Sequence, residues 1–180
     1  AVSQIGKRIG ADPQTTNSAL SMALPLLVSA LARNAGQPDG AQALHQALAQ
    51  DHDGSILGDM PGFLDNPQAA NGAGILGHVL GTQQPAVAKG LSQSTGLSGQ
   101  QIGQLLQIAA PLVMGLLGQQ QRQQGLDANG LSAFLGSQQQ QAQQSNPDVM
   151  GVLNTLLDAD HDGSALDDML GLAGKLFGGK

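Results

Sequence analysis

Two segments of the chain, LSMALPLLVSALARN from Leu20 to Asn34 and LLQIAAPLVMGLLGQ from Leu105 to Gln119, align with each other when Pro25 is set against Pro111. Internal self-similarity constrains a fold strongly, because each copy must build the same supersecondary unit. The match extends outward. Upstream, IGKRIGADPQTTNSAL resembles VAKGLSQSTGLSGQQIGQLL, each reading as a short helix, a polar turn and a new helix start. Downstream, the turn before Asp39 answers to the turn before Asp127, and DHDGSILGDM (Asp51 to Met60) recurs as DHDGSALDDM (Asp160 to Met169). The copies are 86 residues apart at the prolines and 109 apart at the DHDGS motifs, so the second carries an insertion. The Gln-rich stretch at 137–145 is its natural place, as a mobile connection or a solvated helix extension, because it has little apolar area to bury.

Within each copy the apolar spacing is helical. Ile102, Leu105, Leu106, Ala109, Leu112, Val113, Leu116 and Leu117 fall in steps of three and four, as do Leu20, Leu24, Leu27, Val28 and Leu31, and strand-type alternation is absent. The expected fold is therefore all-α, a helical bundle of two pseudo-repeated units. Each long helix should kink or break at Pro25 or Pro111, since proline removes an amide donor and crowds the carbonyl four residues back. Ser98, and Thr15 or Thr16, are the expected N-caps of the long helices. Gly36 and Gly118 suit their ends, where a left-handed residue closes the last turn. Residues 1–65 form the first repeat, 66–81 a Gly-rich linker with a short helix around Ile75 to Leu80, and 82–180 the second repeat.

Composition limits the chemistry. There is no Cys, Trp or Tyr, the aromatics are Phe63, Phe134 and Phe177, and every acidic residue is Asp. The core must be aliphatic, with Ala and Gly permitting close helix approach. Disulfides and thiol nucleophiles are excluded. A net charge of −6 repels a phosphate backbone. The small basic grouping of Lys7, Arg8 and Arg33 reads as chance. The longest mostly apolar run, Leu24 to Leu31, is far below the ~20 residues that span a bilayer, so no transmembrane segment is expected and a cytoplasmic location is the default. Lys7 and Arg8 lead into a polar stretch, unlike a signal peptide.

The strongest local motif is DADHDGSALDD. Calcium takes several oxygen ligands, and Asp at alternating loop positions followed by Gly for a sharp turn provides them. Asp158, Asp160 and Asp162 match those places, Gly163 the turn and the Ser164 carbonyl the next ligand, but the closing position holds Met169, leaving Asp167 and Asp168 to close a shorter loop. The first copy offers a poorer set, Asp51, Asp53 and Asp59, because Ala49 and Gly58 replace two acids. An alternative needs no metal: Asp-Gly-Ser ends one helix through a left-handed Gly and starts the next through a Ser cap, with Asp167 completing a capping box after Ser164. His52 and His161 read as exposed histidines whose pKa is raised by flanking carboxylates rather than as ligands. His45 and His78 read as surface or interface residues. No phosphate loop, nucleophile elbow or dinucleotide fingerprint is present.

GILGHVLG, TGLS, LLQIAAPLVMGLLG, GLDANGLSAFLG and LLDADHDGSALDDMLGLAGKLFG together resemble the bacterial family called domain of unknown function 937, which also contains YidB-like proteins. LPLLVSALARN, GAQALHQAL and HDGSILGDM resemble the first part of its longer members, so the resemblance covers nearly the whole chain. It implies an all-helical fold with a homeodomain-like arrangement, and no activity or catalytic residue. The expected role is a non-catalytic structural or protein-interaction module, with an unknown protein partner or self-association, and calcium as the one candidate cofactor. The alternatives are helix-turn-helix nucleic-acid binding through Gln100, Gln101, Gln104 and Gln107, and a metal-dependent hydrolase built on Asp158, Asp160 and Asp162.

Overall fold

A computed structural model describes residues 2–145. They form α1 (Val2–Ile9), α2 (Pro13–Ala35), α3 (Pro38–Gln50), α4 (Met60–Asp65), α5 (Gly72–Val79), α6 (Gln84–Thr95), α7 (Gly99–Gln124) and α8 (Ala128–Ser145). Among the described residues there is no strand, and short 3-10 turns occupy Ser55–Leu57, Pro67–Ala70 and Gly81–Gln83. Within the stretch 66–81, expected as a Gly-rich linker with a short helix around Ile75 to Leu80, α5 supplies the helix, and the residues before it hold the Pro67–Ala70 turn.

The two long helices, α2 and α7, pack on each other and form the centre. Around them, α1 packs on both, α6 packs on both, α3 packs on both, α8 packs on α2, and α5 on α7. Leu20, Ala23 and Leu27 of α2 and Ile102, Leu105, Leu106 and Ala109 of α7 belong to one continuous buried cluster with residues from every other α-helix. Both long helices run through their prolines without a break. Pro111 removes the amide that would bond the Gln107 carbonyl, and that carbonyl is where Gly72 of α5 packs, so closely that a Cβ there would overlap it.

By length and composition α2 and α7 are also able to cross a membrane, which counting uninterrupted apolar runs does not reveal because Ser in α2, and Gly and Gln in α7, interrupt their apolar residues. Half of the apolar stretch of α2 and 67% of that of α7 are buried inside the fold, and core helices of this kind meet the same criterion.

The helix ends correct several expectations. Ser98 caps α7 as expected, in a capping box with Gln101: the Gln101 amide donates to Ser98 Oγ at 3.2 Å and the Ser98 amide to Gln101 Oε1 at 2.9 Å. The cap of α2 is Asp12, not Thr15 or Thr16; its carboxylate accepts from the amides of Gln14 and Thr15 at 3.0 and 2.9 Å. Pro13 then occupies the first helical position, where its missing N–H costs nothing. Gly36 does close α2, but in a right-handed conformation, with φ −69°. Gly118 ends nothing: α7 continues to Gln124 and is closed by the left-handed Gly125. The Gln-rich stretch belongs to α8, whose first turn is capped by Asp127 accepting from the Gly130 amide at 2.7 Å.

Polar side chains tie distant elements together at carbonyls of helix ends. Gln101 Nε2 donates to the Ile9 and Gly10 carbonyls at the end of α1, at 3.1 and 3.0 Å. Asn34 Nδ2 does the same for His78 and Val79 at the end of α5, at 3.2 and 3.1 Å. Ser132 Oγ of α8 donates to the Ala35 carbonyl, the last of α2, at 2.9 Å.

Candidate functional site

The first DHDGS motif lies where α3 ends. The amides of Asp51 and His52 both donate to the Ala47 carbonyl, at 3.0 and 3.1 Å, and terminate the helix. Gly54 then turns the chain with φ 88°, a conformation that disfavours any side chain. Asp53 accepts from the Ser55 amide at 2.9 Å and, across the loop, from Arg122 of α7 at 3.4 Å. Gly54 is left-handed, as the capping alternative requires, but α3 ends before it at a right-handed Asp51, and the Ser cap is not formed. Ser55 opens a 3-10 turn, and α4 is capped by Asp59, which accepts from the Gly62 amide at 3.0 Å.

The loop is pressed onto α7 at two glycines. At Gly118 a Cβ would overlap the His52 carbonyl oxygen, and at Gly115 it would lie 2.6 Å from Ile56 Cγ2. At Gly54 it would lie 3.0 Å from the Gly115 carbonyl oxygen and 3.1 Å from Gln119 Cβ. Gly115, Gly118 and Arg122 therefore form the seat of the loop. Sequence reasoning passed over this role, although a Gly-x-x-Gly spacing inside an apolar helical stripe is a signal of close backbone approach.

Asp51, Asp53 and Asp59 border one open cleft of about 920 Å³ with His52, Phe63, Asn66 and Asn71. They are not gathered as a ligand set: among the described residues no group of three or more His, Cys, Asp or Glu side chains could hold a metal ion. Asp158, Asp160, Asp162, Ser164, Asp167, Asp168 and His161 lie outside the described residues.

His52 overturns its expectation. Its ring is half-buried and its pKa lies below the ordinary 6.5, because desolvation opposes the charged form and outweighs the raising effect of Asp51. Asp53 is held below 3.8 by the Ser55 amide first, then by the Ser55 hydroxyl and Arg122. Asp12 is held below 3.8 by the Thr15 hydroxyl, then by the Thr15 and Gln14 amides. His45 is half-buried and its carbonyl accepts from Gln121 Nε2 at 3.4 Å, whereas His78 is exposed with Nδ1 3.1 Å from the Gly74 carbonyl.

Two steps in stability against pH follow. The folded chain takes up a proton at His52 at lower pH than the unfolded chain, which does so from about pH 6.5 downward, so stability falls as pH drops below that value. For Asp12 and Asp53 the folded pKa is depressed, so their contribution is present above 3.8 and is lost as pH falls through their folded values. Thermal melts between pH 8 and 3 should show both declines, and His52→Gln should remove the upper one. An upper decline of equal size in that variant would show that another group is responsible.

A family model described as bacterial protein of unknown function (DUF937) matches residues 1–120 and 122–179. No curated protein and no solved structure matches the chain.

Proposed function

The chain belongs to the DUF937 family of bacterial proteins of unknown function, and on that premise we propose that it is a non-catalytic helical structural or protein-interaction module. In this reading its DHDGS motifs are clamps that weld two duplicated halves. One observation carries the reading: the DHDGS loop described above spends Asp53 and Asp59 on backbone amides and seats its own backbone on Gly115 and Gly118. Those carboxylates are committed to holding helices together. A hydrolase or a calcium loop would need them turned together toward an open position.

Helix packing supports the duplication. If α1, α2 and α3 correspond to α6, α7 and α8, the contacts between halves pair reciprocally: α1 with α7 and α6 with α2, α3 with α7 and α8 with α2. Such an exchange makes each half complete the other's core.

Calorimetry of the full chain with calcium tests the clamp reading, using wild type and Asp160→Ala. The clamp predicts no binding heat and no calcium-dependent rise in Tm for either protein. A saturable heat in the wild type that disappears in Asp160→Ala would assign the second loop to a cation instead.

A helix-turn-helix, homeodomain-like use of α6 and α7 is the second reading, favoured by the exposure of Gln100, Gln104 and Gln107 along α7. Gln101 is withdrawn from that role, since its side chain is bound to Ser98 and to the end of α1. Salt-sensitive binding of duplex DNA in fluorescence anisotropy is its expected signature.

A further inference from the structure

We propose that the cleft between the end of α1, the Pro67–Ala70 turn, the start of α5 and the exposed stripe of α7 binds a small oxyanion, a phosphate or carboxylate group. It has a volume of about 570 Å³ and is bordered by Arg8, Gln68, Asn71, Gln104 and Gln107. The size lies within the roughly 300–1,000 Å³ of small-ligand sites and is small for a nucleic-acid duplex. Buried Pro67, Gly72 and Ile108 also line it and give it a fixed wall. The close seating of Gly72 on the Gln107 carbonyl fixes the backbone on both sides.

Charge sets the class of ligand. The chain has a net charge of −6, and three carboxylates line the neighbouring cleft. None of the residues lining this one is acidic. With Arg8 on its border and no carboxylate in its lining, the cleft carries a local field of opposite sign to the chain as a whole. Arg presents paired N–H donors that match a carboxylate or phosphate bidentately, and four side-chain amides add further donors around it. Asp65 and Lys7 line a smaller cavity on the other side of Arg8, so Asp65 is the internal competitor for its charge.

The test is isothermal titration of the full chain with inorganic phosphate and with citrate at constant ionic strength, chloride serving as the blank. Saturable binding is expected for the wild type, weakened at least tenfold in Arg8→Gln and several-fold in Gln104→Leu. Lys89→Gln on α6 should bind like the wild type, and Asp65→Asn more tightly. Circular dichroism melts check that each variant is folded. Absence of saturable heat with both anions, or equal affinity in a folded Arg8→Gln protein, overturns the site. Binding of duplex DNA without binding of either small anion also overturns it and transfers Arg8 to the helix-turn-helix reading.

Discussion

Gly118→Ala is expected to destabilise the protein by about 1–3 kcal/mol, although alanine is the better helix former by roughly 1 kcal/mol. The added methyl would overlap the His52 carbonyl oxygen, which is backbone and has no rotamer to move into. Either α7 and the loop separate, or the end of α3 shifts. Gly103, in the same helix, provides the control: nothing lies within 4 Å of the place its Cβ would take, so Gly103→Ala should gain about 0.5–1 kcal/mol. Opposite signs for two identical substitutions in one helix, measured by chemical denaturation, would tie the loss to the loop contact. A gain at Gly118 would mean that the loop does not sit on α7.

The second large effect is expected on α8. This 18-residue helix is rich in Gln, and its buried residues are Leu131 and Leu135, both fully enclosed. A helix of this length and composition is marginal in isolation, so its order depends on those two anchors against α2 and α3. Leu135→Ala should cost about 2–5 kcal/mol, as fully buried leucines do when truncated. Combining it with Leu131→Ala should release α8 and reduce far-ultraviolet helicity at temperatures where the wild type is intact. Helicity equal to the wild type in the folded double variant would show that other contacts hold α8.

The all-helical class was legible because it rests on periodicity, which is local. The Ser98 cap and the turn at Gly54 were legible for the same reason: the residues that make them are neighbours in the chain. Thr15 and Thr16 have the residue type of a cap, but Asp12 followed by Pro13 starts the helix three residues earlier and places both threonines inside its first turn. Gly118 was misread in a more instructive way. A glycine near the end of an apolar stripe suggests a helix terminus, but here it is small because another segment's carbonyl rests on it. His52 failed similarly: its sequence neighbours are carboxylates, whereas its environment in the fold is set by burial, and Asp53 is engaged by Arg122, 69 residues away. For Gly118 and His52 the deciding surroundings are supplied by tertiary packing.

The absence of Trp and Tyr allows a direct test of whether the halves are welded into one unit. Phe63→Trp places a fluorophore in α4 of the first half and Phe134→Trp places one in α8 of the second. Denaturant unfolding of the two proteins, each followed by its own Trp fluorescence and by circular dichroism, should give transitions that coincide within each protein, as a single interlocked core requires. If either Trp reports a transition well separated from the loss of helicity, the halves unfold independently and the clamp does not join them.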